Sequence, residues 1–323
     1  MMRKILTVAA VAVVASAGTA AAQTKWNMPT AYPDSNYHTQ NIRWFADEVK
    51  KETGGKLEIV VHSGASLFKM PEIKRAVQTG QVPIGEILLS AYGNEDPVLE
   101  ADGLPFLAAG YDQAWKLYQA QRPVLQANLK KQGVTMLYSV AWPGQGVYSK
   151  NPINALSDFK GVKFRAYNAV TARLAELIGA QPATVQQAEV PQAFSAGVIT
   201  AMITSGATGV DTKAWEFSKF FYETEAMHPR NGVLINDRAF RRLPEDQQRV
   251  LLNVAQLAEK RGWELMQKVS DDTKLTLAKN GMTVAPPPAP LQAEYQKVGA
   301  ALVAEWEKKA GADGAAILKA YRQ

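Results

Sequence analysis

Hydrophobic and polar residues follow two alternating periods along the chain, one typical of strands and one typical of helices. The apolar segment 57–61 predicts a strand, and Ile42, Phe45 and Val49 recur at helical spacing in a helix predicted over about 37–53. Strands and helices that alternate in this way predict an α/β fold with a mostly parallel sheet. The same pattern predicts further strands over 26–28, 84–89, 134–141, 162–165, 201–203 and 232–236, and further helices over 70–78, 169–178 and 190–196.

A second α/β block begins near Val134, so the pattern predicts two lobes. After this block the chain returns through the strand 232–236 and does not start a third block. A chain of this length commonly forms two domains. We expect lobe I to comprise residues 23–147 plus about 230–265, and lobe II to comprise 148–229 plus about 266–323.

Residues 244–280 carry one long helical pattern. Pro244 suits the first turn, Glu245 and Asp246 suit the positive end of the helix dipole, and Gly281 follows the end. One interpretation is a helix that spans both lobes, and the other is two helices broken near Gly262. An extended linker at 286–288 and a closing helix over 291–307 follow. Ala201 to Ile203 leads into a segment, 204–209, predicted as a polar loop.

The first 22 residues have the composition of a signal peptide, with Arg3 and Lys4 before an apolar core and small residues before Gln23. Cleavage after Ala22 is expected to export the mature chain to a bacterial periplasm, and no later segment has the length of a transmembrane helix. The formal net charge is +6 without a run of five basic residues, which argues against a nucleic-acid partner.

The chain offers little for catalysis or metal binding. It contains no cysteine, and its three histidines, His38, His62 and His228, lie far apart in the sequence. There is no nucleophile elbow, dinucleotide fingerprint or phosphate-binding loop, so we expect no cofactor and favour binding over catalysis. An enzyme remains the alternative, with a general base to be sought among Glu86, Glu189 and Asp211.

The segment 158–165 delivers Arg165 to the end of a short strand, because Val162 and Phe164 alternate with Lys163 and Arg165. Ligands of open α/β sheets collect at the carboxyl ends of strands. A guanidinium there matches a carboxylate with two parallel hydrogen bonds. On spacing alone, a surface arginine in an ordinary salt bridge is an equally good interpretation.

Aromatic and hydroxyl residues at turns complete a candidate pocket. Trp142 follows the strand 134–141 and Trp215 follows the segment 204–209, and either could instead fill the core. His38 opens the first helix, where a surface or helix-start role is the more common one. Small-molecule pockets combine apolar walls with few fixed polar groups. The candidate ligand contacts are Arg165, Trp142, Gln145, Thr204, Ser205, Thr208, Trp215, His38, Glu86 and Gln187.

In their order and spacing, several motifs resemble the extracytoplasmic solute-binding proteins of tripartite ATP-independent periplasmic (TRAP) transporters, the DctP-like family. They are Leu67 with the segment 71–80, the segment 104–107, Asn151-Pro152-Ile153 followed by 157–165, and the segment 189–197. The resemblance covers nearly the whole mature chain. It implies a periplasmic-binding-protein fold with a ligand cleft between two lobes, a long helix across both, and an Arg165 that holds the carboxylate of an organic acid. It also implies membrane transporter subunits as partners, with a sensory receptor as the alternative.

Two departures from the family bear on the ligand. The family usually has an Asn-Pro pair about forty residues after the arginine, where this chain has Thr204-Ser205. It often has a second arginine before a Lys-x-Pro-Ile segment, where Gln145 stands nearest here. The loss of a second cation argues against dicarboxylates and sialic-acid-like ligands. We therefore expect a monocarboxylate with an apolar or aromatic body, such as a 2-oxo or 2-hydroxy acid.

Overall fold

The structure is a computed structural model that describes residues 23–323, so the predicted signal peptide lies outside the described residues. Strands and helices alternate through most of this range. The strands are β1 (Thr24–Pro29), β2 (Leu57–His62), β3 (Ile84–Leu88), β4 (Val134–Ala141), β5 (Gln145–Ser149), β6 (Lys163–Ala166), β7 (Gln181–Thr184), β8 (Ala201–Ser205), β9 (Phe220–Tyr222), β10 (Arg230–Asn236) and β11 (Thr283–Ala285). The helices are α1 (Tyr37–Glu52), α2 (Met70–Thr79), α3 (Tyr111–Lys131), α4 (Ala169–Leu177), α5 (Val190–Ser195), α6 (Gly206–Asp211), α7 (Asp237–Arg242), α8 (Glu245–Lys279) and α9 (Ala289–Arg322).

The strands form two groups, one in each lobe, as the two-lobed prediction requires. In lobe I, β1 pairs with β2, and β10 lies between β3 and β4. In lobe II, six strands form a sheet in the order β11-β9-β5-β8-β6-β7. The two-lobed α/β fold predicted from the sequence is confirmed.

The prediction of a mostly parallel sheet is wrong, because both lobes are mixed. Strand β10 runs antiparallel to β3 and β4, and β5 runs antiparallel to β8 and β9. The cause is the path of the chain, which crosses between the lobes after β4 and again after β9. The strand after each crossing, β5 in lobe II and β10 in lobe I, does not belong to a local strand–helix–strand unit, the unit that produces parallel neighbours.

Helix α8 is one continuous helix that packs on α1 and β4 in lobe I and on α6 and β11 in lobe II. The alternative of a break at Gly262 is wrong. A Cβ on Gly262 would lie 2.4 Å from Val140 Cγ2 and 2.9 Å from Asn41 Nδ2. The glycine therefore permits α8 to approach β4 closely, and it does not end the helix.

Two other predictions need correction. The segment 204–209 is not a loop but the end of β8 and the start of α6, since the Ser205 hydroxyl accepts a hydrogen bond from the Thr208 amide and caps the helix. The closing helix does not stop near residue 307 but runs to Arg322 through a kink at Gly311, whose φ of 57° glycine tolerates. The pattern also misses α3, which contains Pro123, and the short strands β5, β7, β9 and β11.

Candidate functional site

Three neighbouring strands of lobe II bring the candidate polar residues to one edge of the sheet. Strand β6 pairs in parallel with both β7 and β8, with Arg165 opposite Ala183 and Met202. Parallel strands present their carboxyl ends on the same side. The residues that follow β6, β7 and β8, including Gln187 and Thr208, therefore gather around Arg165.

Arg165 is a buried cation, with only 3% of its surface exposed. Its Nε donates to the Val185 carbonyl at 2.9 Å, and its guanidinium lies 5.2 Å from the centre of the Tyr167 ring. Its Nη1 has no hydrogen-bond partner, and no carboxylate within residues 23–323 forms an ion pair with it. Burial lowers the pKa of Arg165 to about 10, which leaves it charged at neutral pH. A buried charge without a partner is costly, so the site favours an anion at this position.

A cleft of about 740 Å³, including the space at its open side, lies in front of Arg165. Residues of both lobes line it, and most of the surface that they present is apolar. The lining residues are Ala31, Tyr32, Ala65, Lys69, Met70, Leu88, Trp142, Gln145, Arg165, Tyr167, Gln186, Gln187, Ala188, Glu189, Thr204, Thr208 and Pro229.

Trp142 forms one wall of the cleft. Its Nε1 donates to Asn231 Oδ1 at 2.9 Å, and its ring meets Tyr32 edge-to-face at a centroid distance of 4.9 Å. The Tyr32 hydroxyl donates to the same Asn231 oxygen at 3.3 Å. One amide oxygen thus holds both aromatic walls on the side of lobe I.

Gln145 also lies in the cleft, but much of its amide is occupied within the protein. Its Nε2 donates to the Pro143 carbonyl at 3.1 Å, and its Oε1 accepts from the Tyr167 hydroxyl at 3.4 Å. In the part of the chain that the structure describes, Arg165 is the one arginine among the lining residues. Lys69 is a second cation, and it is exposed.

The predicted hydroxyl and amide contacts separate into two groups. Thr204, Thr208 and Gln187 line the cleft, while Ser205 caps α6 and does not line it. Gln187 Nε2 donates to Asp211 Oδ2 at 3.2 Å. Of the carboxylates considered as general bases, Asp211 lies outside the lining with both oxygens hydrogen-bonded, and Glu189 is exposed in the lining.

His38 and Glu86 do not line the cleft, because they are buried behind the Trp142 wall. The His38 ring lies 4.4 Å from the Trp142 ring, and its Nδ1 is 3.7 Å from Glu86 Oε1. Burial lowers the pKa of His38 well below its usual value and raises the pKa of Glu86 to about 7. A hydrogen bond from the Thr30 hydroxyl to Glu86, at 2.6 Å, opposes the second shift.

Trp215 is likewise outside the cleft. It packs against the apolar cluster of lobe II that includes Tyr148, Phe221 and Leu277. The structure therefore places Trp215 in the apolar core of lobe II, the alternative considered for it, and not in the lining of the cleft. It lies beyond the end of α6, in a short helical turn over 214–216.

Sequence reasoning missed two aromatic residues of the cleft, Tyr32 and Tyr167. Tyr167 follows Arg165 by two residues and lies beneath its guanidinium, so its place beside the predicted anchor was an available signal. Tyr32 lies in the loop after β1, and its distance from Arg165 in the sequence gives no such signal.

Within residues 23–323, no helix combines the length and the apolar character needed to cross a bilayer. In the same range, no three histidine, cysteine or carboxylate side chains are grouped as ligands of a metal ion.

The sequence matches the family model of bacterial extracellular solute-binding proteins, family 7 (DctP), over residues 29–309. A solute-binding protein of Albidiferax ferrireducens is 26% identical over 268 residues, which cover 78% of this chain and 75% of that protein. The C4-dicarboxylate-binding periplasmic protein DctP of Rhodobacter capsulatus is 27% identical over 211 residues, 62% of each chain.

Solved structures of higher identity share the whole fold. DctP7 of Bordetella pertussis, an extracytoplasmic solute receptor binding pyroglutamic acid, is 51% identical with a TM-score of 0.92, over 93% of this chain and 100% of that one. DctP6 of the same organism, which also binds pyroglutamic acid, is 54% identical with a TM-score of 0.91, over 93% and 99%. A marine metagenome TRAP solute-binding protein specific for pyroglutamate is 42% identical with a TM-score of 0.91, over 93% and 99%. This chain belongs to the DctP family of bacterial extracellular solute-binding proteins, the solute receptors that work with the membrane subunits of TRAP transporters.

Proposed function

We propose that this receptor binds a small monocarboxylate, with pyroglutamate as the first candidate, and that Arg165 holds the carboxylate. The observation that carries the proposal is the buried, unpaired guanidinium at the floor of a mostly apolar cleft. A carboxylate would accept hydrogen bonds from Nη1 and Nη2 of Arg165, and such charge-assisted bonds contribute about 1.5–3 kcal/mol each.

The walls of the cleft support a compact ligand body. Trp142 and Tyr32 offer apolar ring surface, while the Thr204 and Thr208 hydroxyls and Gln187 offer polar contacts. Pyroglutamate has one carboxylate and a five-membered lactam ring, and three receptors at 42–54% identity bind it. Their ligand supports the choice of pyroglutamate over the 2-oxo and 2-hydroxy acids that the sequence suggests within the same class.

We also propose the division into lobes at residues 147, 229 and about 265, and export through a signal peptide cleaved after Ala22. Sheet membership supports crossings between β4 and β5 and between β9 and β10, since β4 and β10 lie in lobe I while β5, which contains residue 147, and β9 lie in lobe II. The extracellular character of the family supports the second. We propose that the bound acid is passed to a transporter without chemical change. This agrees with membership of a family of solute receptors.

Calorimetric titration of the mature protein with L-pyroglutamate, L-proline, lactate and succinate tests the ligand. We expect pyroglutamate to bind tightly, and at a hundred times its dissociation constant to stabilise the fold by about 2.7 kcal/mol. Proline has the same ring size and carboxylate but a ring ammonium in place of the lactam, so it is the control for recognition of the lactam. Tight binding of succinate without binding of pyroglutamate would contradict the proposal.

Arg165→Ala tests the anchor. We expect affinity for pyroglutamate to fall roughly 100-fold or more, because the charge-assisted hydrogen bonds are lost. Arg165→Lys keeps the charge without the planar fork and should bind with intermediate affinity. Thermal melts without ligand show whether each variant is folded, and a folded Arg165→Ala with unchanged affinity would remove Arg165 from the site.

A further inference from the structure

Asp211 is the last residue of α6 and accepts hydrogen bonds from both lobes. Asn36 Nδ2 donates to its Oδ2 at 2.6 Å and the Ser35 hydroxyl donates to its Oδ1 at 3.2 Å, both from the loop before α1. Gln187 Nε2 donates to Oδ2 at 3.2 Å from lobe II. Two carboxylate oxygens therefore serve three donors, which a neutral amide cannot do in the same way.

Asn36 is held in position for this contact. It is 1% exposed, and its Oδ1 accepts from the His38 amide at 2.9 Å as the N-cap of α1. With the oxygen committed to the cap, the Nδ2 group is the part of the amide that can reach across to lobe II. The start of α1 and the end of α6 are thereby joined through one side chain on each lobe.

Gln187 connects this contact to the cleft, since it lines the cleft with Arg165 and also donates to Asp211. One N–H of its amide nitrogen is directed at Asp211, and its Oε1, which accepts no hydrogen bond within residues 23–323, is left as an acceptor for a ligand. An oxygen at that position accepts from an N–H group and has nothing to offer an ether oxygen. A lactam next to the carboxylate carries such an N–H.

We propose that Asp211 is a positioning residue for ligand capture, which fastens the start of α1 to lobe II and turns the Gln187 oxygen toward the ligand. The proposal rests on the proposed function for its ligand class, an acid with a ring N–H. The contact between the lobes does not depend on the identity of the ligand, because it is argued from the hydrogen bonds of Asp211 alone. Loss of the carboxylate would release both lobe I donors and free Gln187 to rotate.

An exchange of the two side chains tests the contact. Asp211→Asn places amide against amide, and Asn36→Asp places carboxylate against carboxylate while it keeps a good N-cap. Each single variant should release L-pyroglutamate roughly 10- to 100-fold faster in stopped-flow dissociation, which corresponds to loss of a charge-assisted hydrogen bond. The double variant restores one carboxylate facing one amide, so most of the loss should be recovered. If the two substitutions act independently, so that their effects on the dissociation rate multiply in the double variant, the proposal is overturned. Single variants that release the ligand at the wild-type rate would also overturn it.

Selectivity provides a second measurement that a merely structural role would not move. The ratio of affinities for pyroglutamate and its lactone analogue, 5-oxotetrahydrofuran-2-carboxylate, should fall about tenfold in Asp211→Asn, because loss of the hydrogen bond between the ligand N–H and Gln187 Oε1 has about this size. Ser90→Ala is the matched control, since it removes another hydrogen bond between the lobes, from Asn168 Nδ2 at 2.9 Å, without a link to Gln187. Its ratio should equal that of the wild type; an equal ratio in Asp211→Asn would refute the role of Gln187.

The fastening can be measured without any ligand. The chain has no cysteine, so spin labels on Arg75→Cys and Gln192→Cys, both exposed and on different lobes, report one distance. We expect Asp211→Asn and Asn36→Asp to broaden this distance toward larger values and the double variant to narrow it again. Unchanged distributions in both single variants would refute the fastening. Absence of pyroglutamate binding in the wild type would refute the ligand and leave this distance test to decide the role of Asp211.

Discussion

Two ionisable side chains near the cleft, Arg165 and Glu86, are buried and form no ion pair with a lysine, arginine or carboxylate in the part of the chain that the structure describes. Burial shifts the pKa of each, with different consequences for its charge. Arg165 retains its charge, since a pKa of about 10 is still far above neutrality. Glu86 is a carboxyl whose pKa rises to about 7, so it is largely protonated in weakly acidic solution. Arg165 can therefore attract an anion at any physiological pH, whereas Glu86 is expected to make the stability of the fold depend on pH.

Glu86 should make the fold less stable as pH rises from about 4.5 to 7. Its pKa is 4.5 in an exposed chain and about 7 in the folded protein, so the folded state holds the extra proton in this interval. The stabilisation is complete below the lower value and is lost as pH rises through the upper one, by on the order of 3 kcal/mol. Urea unfolding of the wild type and Glu86→Gln at pH 5 and pH 8 measures it.

Glu86→Gln is the control, because it keeps the shape and the hydrogen bond from Thr30 but cannot ionise. The difference between the two proteins isolates Glu86 from every other titrating group. If both lose the same stability between pH 5 and pH 8, the carboxyl is not the source of the dependence.

At the scale of elements, Gly262 explains how α8 can lie directly on β4. Alanine is usually better than glycine in a helix by about 1 kcal/mol. At this position the added methyl would meet both Val140 methyl groups, at 2.4 and 2.8 Å, and the Asn41 amide. Helix propensity therefore predicts that Gly262→Ala stabilises the fold, whereas the packing predicts that it destabilises the fold.

We expect Gly262→Ala to destabilise the fold by about 1–3 kcal/mol, the usual cost of overpacking. Chemical denaturation measures this change, and Val140→Ala supplies the paired test because it removes the methyl groups that clash. The double variant should be less destabilised than the sum of the two single variants. Additive losses, or a more stable Gly262→Ala, would show that α8 does not need this close approach.

The elements that sequence reasoning placed well are those with a strong local pattern. Strand β4 and helix α8 carry uninterrupted periods and clear end signals, and Arg165 follows directly from the alternation in β6. Elements fixed by distant contacts were missed. Strand β5 exists because β8 and β9 flank it, and Tyr32 reaches the cleft because Asn231, on β10, holds its hydroxyl.

The same distinction explains why some of the predicted site residues do not line the cleft. Ser205 is the last residue of β8, next to Thr204, but its hydroxyl caps α6, and Trp215 lies beyond the end of α6 in the core of lobe II. His38 and Glu86 belong to elements that border the cleft, and one more layer of side chains, headed by Trp142, separates them from it. Proximity in the sequence identifies the edge of a sheet but not which side chains of that edge are covered.

At the scale of the molecule, α8 couples the two lobes, because its ends are buried in different cores. Leu251 is fully buried at the lobe I end, and Leu277 is fully buried in the lobe II cluster with Tyr148 and Phe221. Helix formation is cooperative along its length. Loosening of one end should therefore reach the strands of the other lobe.

Leu277→Ala tests this coupling. The cavity should cost about 2–5 kcal/mol, and hydrogen exchange measured by mass spectrometry should accelerate in β1 and β2 of lobe I as well as in β5 and β8 of lobe II. Leu275→Ala, on the same helix but 71% exposed, is the matched control and should leave both lobes unchanged. Acceleration confined to lobe II would mean that the lobes unfold independently and that α8 joins them without coupling their stabilities.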